Sequence, residues 1–176
     1  MSLPAISETN HLPLSGFTKV ISLLFEPTAL LTQRIYDSRP FESYDDLLDC
    51  ANKHIQDLSP LEQLEVVNAH PRIGENANNL SALSRAEQGI KSANEDTVLA
   101  RWAKLNREYE DLYGFRFVVF VNGRSKEELF PIADSRIAHG NKSQELTTGL
   151  AEMVDIARDR ARKLQATPAC NSSPKI

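Results

Sequence analysis

The chain holds four histidines, few enough for each to be weighed by its surroundings. His11 lies near the N-terminus, His54 falls off the apolar stripe of a helix, and His139 stands in the loop sequence His139-Gly140-Asn141. His70 differs. It occupies Asn68-Ala69-His70-Pro71-Arg72-Ile73-Gly74-Glu75, at the end of a helical stretch, where Pro71 pushes the preceding residue out of the α region and Gly74 permits a close turn. The helix dipole favours a protonated histidine at a helix C-terminus by ~0.3–1 kcal/mol. Such a group can surrender a proton near neutral pH and serve as a general acid. The competing reading is a capping histidine with no chemistry, and caps outnumber catalysts.

A second cluster follows in Leu83-Ser84-Arg85-Ala86-Glu87-Gln88. Ser84 and Glu87 have the spacing of a capping box, the plainer explanation. Yet no strong apolar periodicity follows. A short helix whose first turn exposes N–H groups, one carboxylate and one amide suits a polar heterocycle, and helix N-termini bind carboxylates.

Other chemistries lack their residues. There is no His-Glu-x-x-His, no clustered Cys/His and no calcium loop, so no metal site is expected. No phosphate-binding glycine loop and no nucleophile elbow occur, and Cys50 and Cys170 lie far apart outside any C-x-x-C pair.

These residues must be positioned by helices. Ser43 can cap a helix carrying Tyr44, Leu47, Leu48, Ala51, Ile55 and Leu58 on one stripe. Ser59-Pro60-Leu61-Glu62 is a complete start signal for a helix that runs to about Ala69. The spacing of Val98, Trp102, Leu105, Tyr109 and Leu112 predicts a long helix from about Asp96 to Tyr113, closed by Gly114. Ser125, with Glu128 as capping-box partner, predicts another. The last should run from about Ser143 to Gln165, with Leu146, Leu150, Met153, Ala157, Arg160 and Leu164 on one face. Shorter helical segments fall near Gly16–Phe25 and Pro27–Asp37.

Residues 115–121, Phe-Arg-Phe-Val-Val-Phe-Val, read as a strand by propensity, but no comparable partner strand exists. An extended segment threaded between helices, offering backbone N–H and C=O to a ligand, resolves the conflict. The expected fold is an all-α, single-domain helical bundle with one extended apolar segment at about 115–121. Its core spans about 12–165, with a loose arm to about Pro13 and a polar tail after about Thr167.

Composition agrees with a globular protein. The 176 residues are 41% hydrophobic and 25% charged, with a net charge of −4. Nothing resembles a basic nucleic-acid footprint, a membrane span or a secretory signal. A reducing, intracellular setting is expected, cytoplasmic or peroxisomal; the C-terminal Pro-Lys-Ile is only a distant relative of a peroxisomal address.

Taken in order, Ala-His-Pro-Arg-Ile-Gly-Glu at 69–75, Leu-Ser-Arg-Ala-Glu-Gln at 83–88, Leu105-Asn106-Arg107-Glu108-Tyr109, Tyr113-Gly114-Phe115-Arg116-Phe117-Val118 and Asn122-Gly123-Arg124-Ser125-Lys126-Glu127-Glu128 form a joint pattern. With Arg39-Pro40-Phe41 and Leu47-Leu48, that pattern resembles the 2-oxo-4-hydroxy-4-carboxy-5-ureidoimidazoline (OHCU) decarboxylases over residues 12–165. The resemblance implies an all-α bundle, often a homodimer, that converts OHCU to (S)-allantoin and CO2 in urate breakdown without a cofactor. It implies His70 as proton donor, with Glu87 catalytic beside it. Pro71 would shape the pocket. Ser84, Gln88 and the backbone of Phe117, Val118, Val119, Phe120 and Val121 would contact the substrate ring.

The chain departs from the family where Asn122 replaces a frequent Arg, and where Arg136-Ile137-Ala138-His139 ends in His rather than Asn. Arg124, Arg136 and Asn141 are candidates to compensate. A non-enzymatic helical binding module explains the caps and stripes equally well but gives no reason for the joint spacing of His70 and the Ser84–Gln88 motif; a third reading is a related enzyme acting on another unstable ureido ring.

Overall fold

The computed structural model describes residues 2–26, 28–75 and 95–166. Among these are eight helices: α1 (Ile6–His11), α2 (Leu14–Ile21), α3 (Ala29–Asp37), α4 (Tyr44–Gln56), α5 (Pro60–Ala69), α6 (Glu95–Tyr113), α7 (Phe130–His139) and α8 (Lys142–Ala166). No strand occurs among the described residues. No helix among them is long and apolar enough to cross a membrane.

The helix starts follow local chemistry. Ser43 Oγ accepts the Asp46 N–H at 3.1 Å and opens α4. At α5 both halves of the capping box are made: Glu62 Oε2 accepts the Ser59 N–H at 2.7 Å, Ser59 Oγ accepts the Glu62 N–H at 3.5 Å, and Pro60 takes the first helical position. Gly114 ends α6 with φ +82, donating its N–H to Glu110 O at 2.8 Å.

Helix α8 is the spine. Its 25 residues extend roughly 37 Å at 1.5 Å each. It packs on α4, α5 and α6, while α6 also packs on α7. One contiguous apolar cluster joins these elements to α2 and α3. Residues 115–121 pass from α6 towards α7 with Phe115, Phe117, Val118 and Val119 buried. Tyr109 meets Phe117 edge-on at 5.1 Å and Trp102 lies 5.9 Å from Phe117. Trp102 is fully buried, so truncating it to Ala should cost ~3–5 kcal/mol of stability.

Two expectations are corrected. The N-terminal residues are not a loose arm: α1 is docked. Thr9 is fully buried with its hydroxyl 2.9 Å from Tyr44 Oη, and Asn10 exchanges bonds with the Phe41 backbone, Nδ2 to O at 2.8 Å and N to Oδ1 at 2.9 Å. The helix predicted from Ser125 begins later, at Phe130. The capping bonds between Ser125 and Glu128 do form, at 2.6 and 3.3 Å. Pro131, however, has no N–H for the Glu127 carbonyl and its ring crowds that position. Residues 126–129 therefore remain turns, and Phe130 donates to Glu127 O instead, three residues back, at 3.2 Å.

Candidate functional site

His70 caps α5 in an extended conformation, φ −69 and ψ 137, as Pro71 requires. The turn that follows is braced against α6. Asn106 Nδ2 donates to Ile73 O at 2.9 Å, and the Arg72 guanidinium grips the Glu110 carboxylate with two bonds of 2.6 and 2.8 Å. Gly74 has φ +79, and a Cβ there would lie 3.2 Å from that of Trp102, so both conformation and space call for glycine. Arg116 holds the other side: its Nη1 donates to His70 O at 2.9 Å and its backbone N–H to Asn68 Oδ1 at 3.0 Å.

His70 is 9% exposed. Burial first, then the positive charges of Arg160 and Arg116, push its pKa from 6.5 down to about 3. This corrects the expectation of a dipole-favoured imidazolium. A dipole contributes ~0.3–1 kcal/mol, whereas this shift corresponds to roughly 5 kcal/mol against the charged form, so desolvation wins. In the unliganded protein His70 is a neutral imidazole at pH 7.

Arg160 is the functional candidate that the sequence reading missed. Its spacing puts it on the same face of the last helix as Leu150, Met153, Ala157 and Leu164, and periodicity alone gives it no role. Its side chain is 2% exposed, donates from Nη1 to Leu24 O at 3.2 Å, and lies 3.6 Å from Glu26 Oε1. A buried guanidinium is costly unless it is paired. A permanent charge at a core position of the stripe Leu150, Met153, Ala157, Leu164 was the available signal.

The extended segment has an uneven pattern of backbone bonds. The Arg116 N–H goes to Asn68, Val118 O accepts from Arg136 Nη1 at 2.8 Å, and the Phe120 N–H goes to Glu152 Oε2 at 2.6 Å. Phe120 O accepts from Arg124 Nη2, and Val121 O from Arg124 N and Nε, both at 3.0 Å. Among the described residues, neither the N–H nor the C=O of Phe117 or Val119 has a partner. Both residues are buried, and a buried backbone group without a partner is rare. Together with Phe115, which is also buried with no backbone partner among the described residues, they are open to a polar ligand.

Of the other sequence candidates, Pro71 is buried beside His70. Ser84, Glu87 and Gln88 lie outside the described residues. Asn122 occupies the left-handed region, φ 47, in an exposed turn with Gly123 at φ 75; asparagine tolerates this conformation better than most side chains. His139 is exposed at the end of α7, its Nδ1 3.2 Å from Ser135 O. Arg124 and Arg136 bind carbonyls of the extended segment, while Asn141 Oδ1 accepts the Gln144 N–H at 3.0 Å. Among the described residues no group of three His, Cys, Asp or Glu side chains is placed to hold a metal.

Comparison with known proteins converges on one family. The chain is 30% identical over 159 residues to the 2-oxo-4-hydroxy-4-carboxy-5-ureidoimidazoline decarboxylase of Haloferax volcanii, covering 88% of this chain and 92% of that one. It is 28% identical to the uric acid degradation bifunctional protein of Bacillus sp. (strain TB-90), over 97% of this chain but only 34% of that longer protein. In three dimensions it is similar to an OHCU decarboxylase crystallised in the presence of (S)-allantoin, with a TM-score of 0.65 and 21% identity over 79% of this chain and 92% of the other, a likeness of fold. The sequence pattern of the OHCU decarboxylases matches residues 10–162, nearly the full length of the described fold, and this chain is a member of that family.

Proposed function

We propose that the chain removes CO2 from OHCU to give (S)-allantoin, with His70 carrying the proton. One observation supports this most: a buried imidazole, its own carbonyl pinned by Arg116, lies under the field of two guanidinium groups. The substrate, as its name states, bears a carboxylate and a hydroxyl on one ring carbon, beside the carbon that carries the ureido group. The carboxylate suits a guanidinium. When CO2 leaves, the electron pair left behind delocalises over the neighbouring C=N, so the substrate supplies its own electron sink.

What remains is proton traffic. The ring nitrogen takes one proton from solvent. The hydroxyl loses a proton to become the ring carbonyl, and the carbon bearing the ureido group gains one on a single face. A neutral His70 is equipped to accept the hydroxyl proton; the imidazolium so formed donates to carbon. The negative charge that develops on the substrate oxygen as its proton passes to His70 offsets the positive charges beside the ring and pairs with the buried imidazolium, so the imidazolium becomes accessible in the complex and not before. Glu87 orients this exchange. Pro71, Ser84, Gln88 and the Phe117–Val121 backbone hold the ring. The same proposal takes the whole chain as one domain that assembles as a homodimer in the cytoplasm or peroxisome.

The test is to add the protein to OHCU generated freshly from urate and to follow CO2 release and circular dichroism. Accelerated appearance of (S)-allantoin is expected. Inertness towards OHCU would leave a binding module, and turnover confined to another ureido ring would move the substrate assignment.

A further inference from the structure

A strand ordinarily has its backbone satisfied by neighbouring strands. The segment 115–121 has none among the described residues, and its bonds come chiefly from side chains. In an extended chain the N–H and C=O of one residue point to one edge, and those of the next residue to the other. The bonded groups of Arg116, Val118 and Phe120 therefore share an edge, and the open groups of Phe117 and Val119 share the opposite one.

We propose that Asn68, Arg136 and Glu152 act together as positioning residues that stand in for a partner strand. They set the register of the segment, so that the Phe117 and Val119 backbone is offered to the substrate ring in a fixed place. A slip of one residue would exchange the two edges, so register decides which groups the ring meets. The inference rests on the reading that this backbone touches substrate.

The contacts are built for rigidity. Arg136 Nε lies 2.6 Å from Glu145 Oε2, with side chains 11% and 7% exposed. Tyr109 Oη donates to the same carboxylate oxygen at 2.7 Å, and Tyr113 Oη donates to Arg136 O at 2.7 Å. The guanidinium also lies over the Phe117 ring, 4.6 Å from its centre. The fork that reaches Val118 O is thus held by Glu145, by Tyr109 Oη 3.3 Å from Nη2 and by the Phe117 ring. Glu152, on the half-buried face of α8, supplies one acceptor to the Phe120 N–H, and its side chain has no other bond among the described residues. As a helical site it tolerates alanine.

The experiment compares Glu152→Ala, Glu152→Gln and Arg136→Lys with the wild type. It reads Tm, kcat and KM on OHCU, and amide exchange of residues 117–121 with and without (S)-allantoin. Glu152→Ala should lose at least ~10-fold in kcat/KM at a temperature well below its Tm, and Glu152→Gln, which keeps the acceptor, should recover to within ~3-fold of wild type. Arg136→Lys, which keeps the charge beside Glu145 but gives up the fork, should fall like Glu152→Ala. In the wild type, (S)-allantoin should slow exchange at Phe117 and Val119, and in Glu152→Ala that protection should weaken. A Glu152→Ala protein with lowered Tm and wild-type kcat/KM would overturn the inference, as would a glutamine that does not rescue. Absence of protection in the wild type would instead remove the reading beneath it. Protection in the wild type with unaltered mutant kinetics would sink the positioning role alone.

Discussion

Holding His70 neutral should make the protein sensitive to acid in a way that one substitution removes. The unfolded chain binds a proton on this side chain near pH 6.5, whereas the folded chain resists it down to about 3. Between those values the unfolded state holds more protons, so stability rises with pH and is lost as pH falls below 6.5. From pH 7 to pH 5 the expected loss from this residue is about 2 kcal/mol, approaching ~1.4 kcal/mol per pH unit below pH 6. The figure hardly depends on the folded value, provided that it lies below about 4, because the folded state is then unprotonated across the whole window. His70→Gln keeps a polar side chain and removes the titration. Urea unfolding of both proteins at pH 7, 6 and 5 isolates the effect, since all carboxylates are common to the pair. The wild type should lose about 2 kcal/mol more than His70→Gln over that range. Parallel acid slopes would refute a buried neutral histidine and return His70 to an ordinary, solvated cap.

Three further outcomes follow from the same geometry. Arg160→Gln should cut kcat/KM by at least ~10-fold and move the His70 pKa upward, because a repelling charge beside it is gone; an NMR titration reads the shift. A Cβ at Gly140 would lie 2.6 Å from both Arg136 O and Glu145 Oε1, so Gly140→Ala should destabilise through crowding, by ~1–3 kcal/mol in a denaturation experiment, although its φ of −74 suits alanine. Glu87→Gln should leave Tm unchanged and lose at least ~10-fold in kcat/KM if the carboxylate meets substrate, whereas a mere capping role predicts wild-type kinetics and a loss of ~0.5–2 kcal/mol for Ser84→Ala instead.

Local signals in the sequence were reliable where the physics is local. Ser59, Pro60 and Glu62 start α5 as their spacing requires, Gly114 ends α6, and Pro71 leaves His70 extended. The extended segment was legible as well, from a β-prone run without a partner. What failed depends on contacts far along the chain. The His70 charge state is set partly by Arg160, ninety residues away by number, on a helix whose periodicity reveals a buried face but not what that face meets. Docking of α1 rests on Thr9 meeting Tyr44, which no short window contains. The late start of α7 shows a local conflict, in which a correct capping box is overridden by a proline downstream.

The most direct test of the account follows the circular dichroism of allantoin while OHCU is turned over by the wild type and by His70→Gln, both in excess chelator. The wild type should give only the (S) enantiomer at full rate with chelator present. His70→Gln should fall by ~10²–10⁴-fold in kcat, with its Tm at pH 7 within a few degrees of wild type. A His70→Gln protein that makes (S)-allantoin at the wild-type rate, or a wild type silenced by the chelator and revived by added metal, would contradict a cofactor-free decarboxylation in which His70 carries the proton.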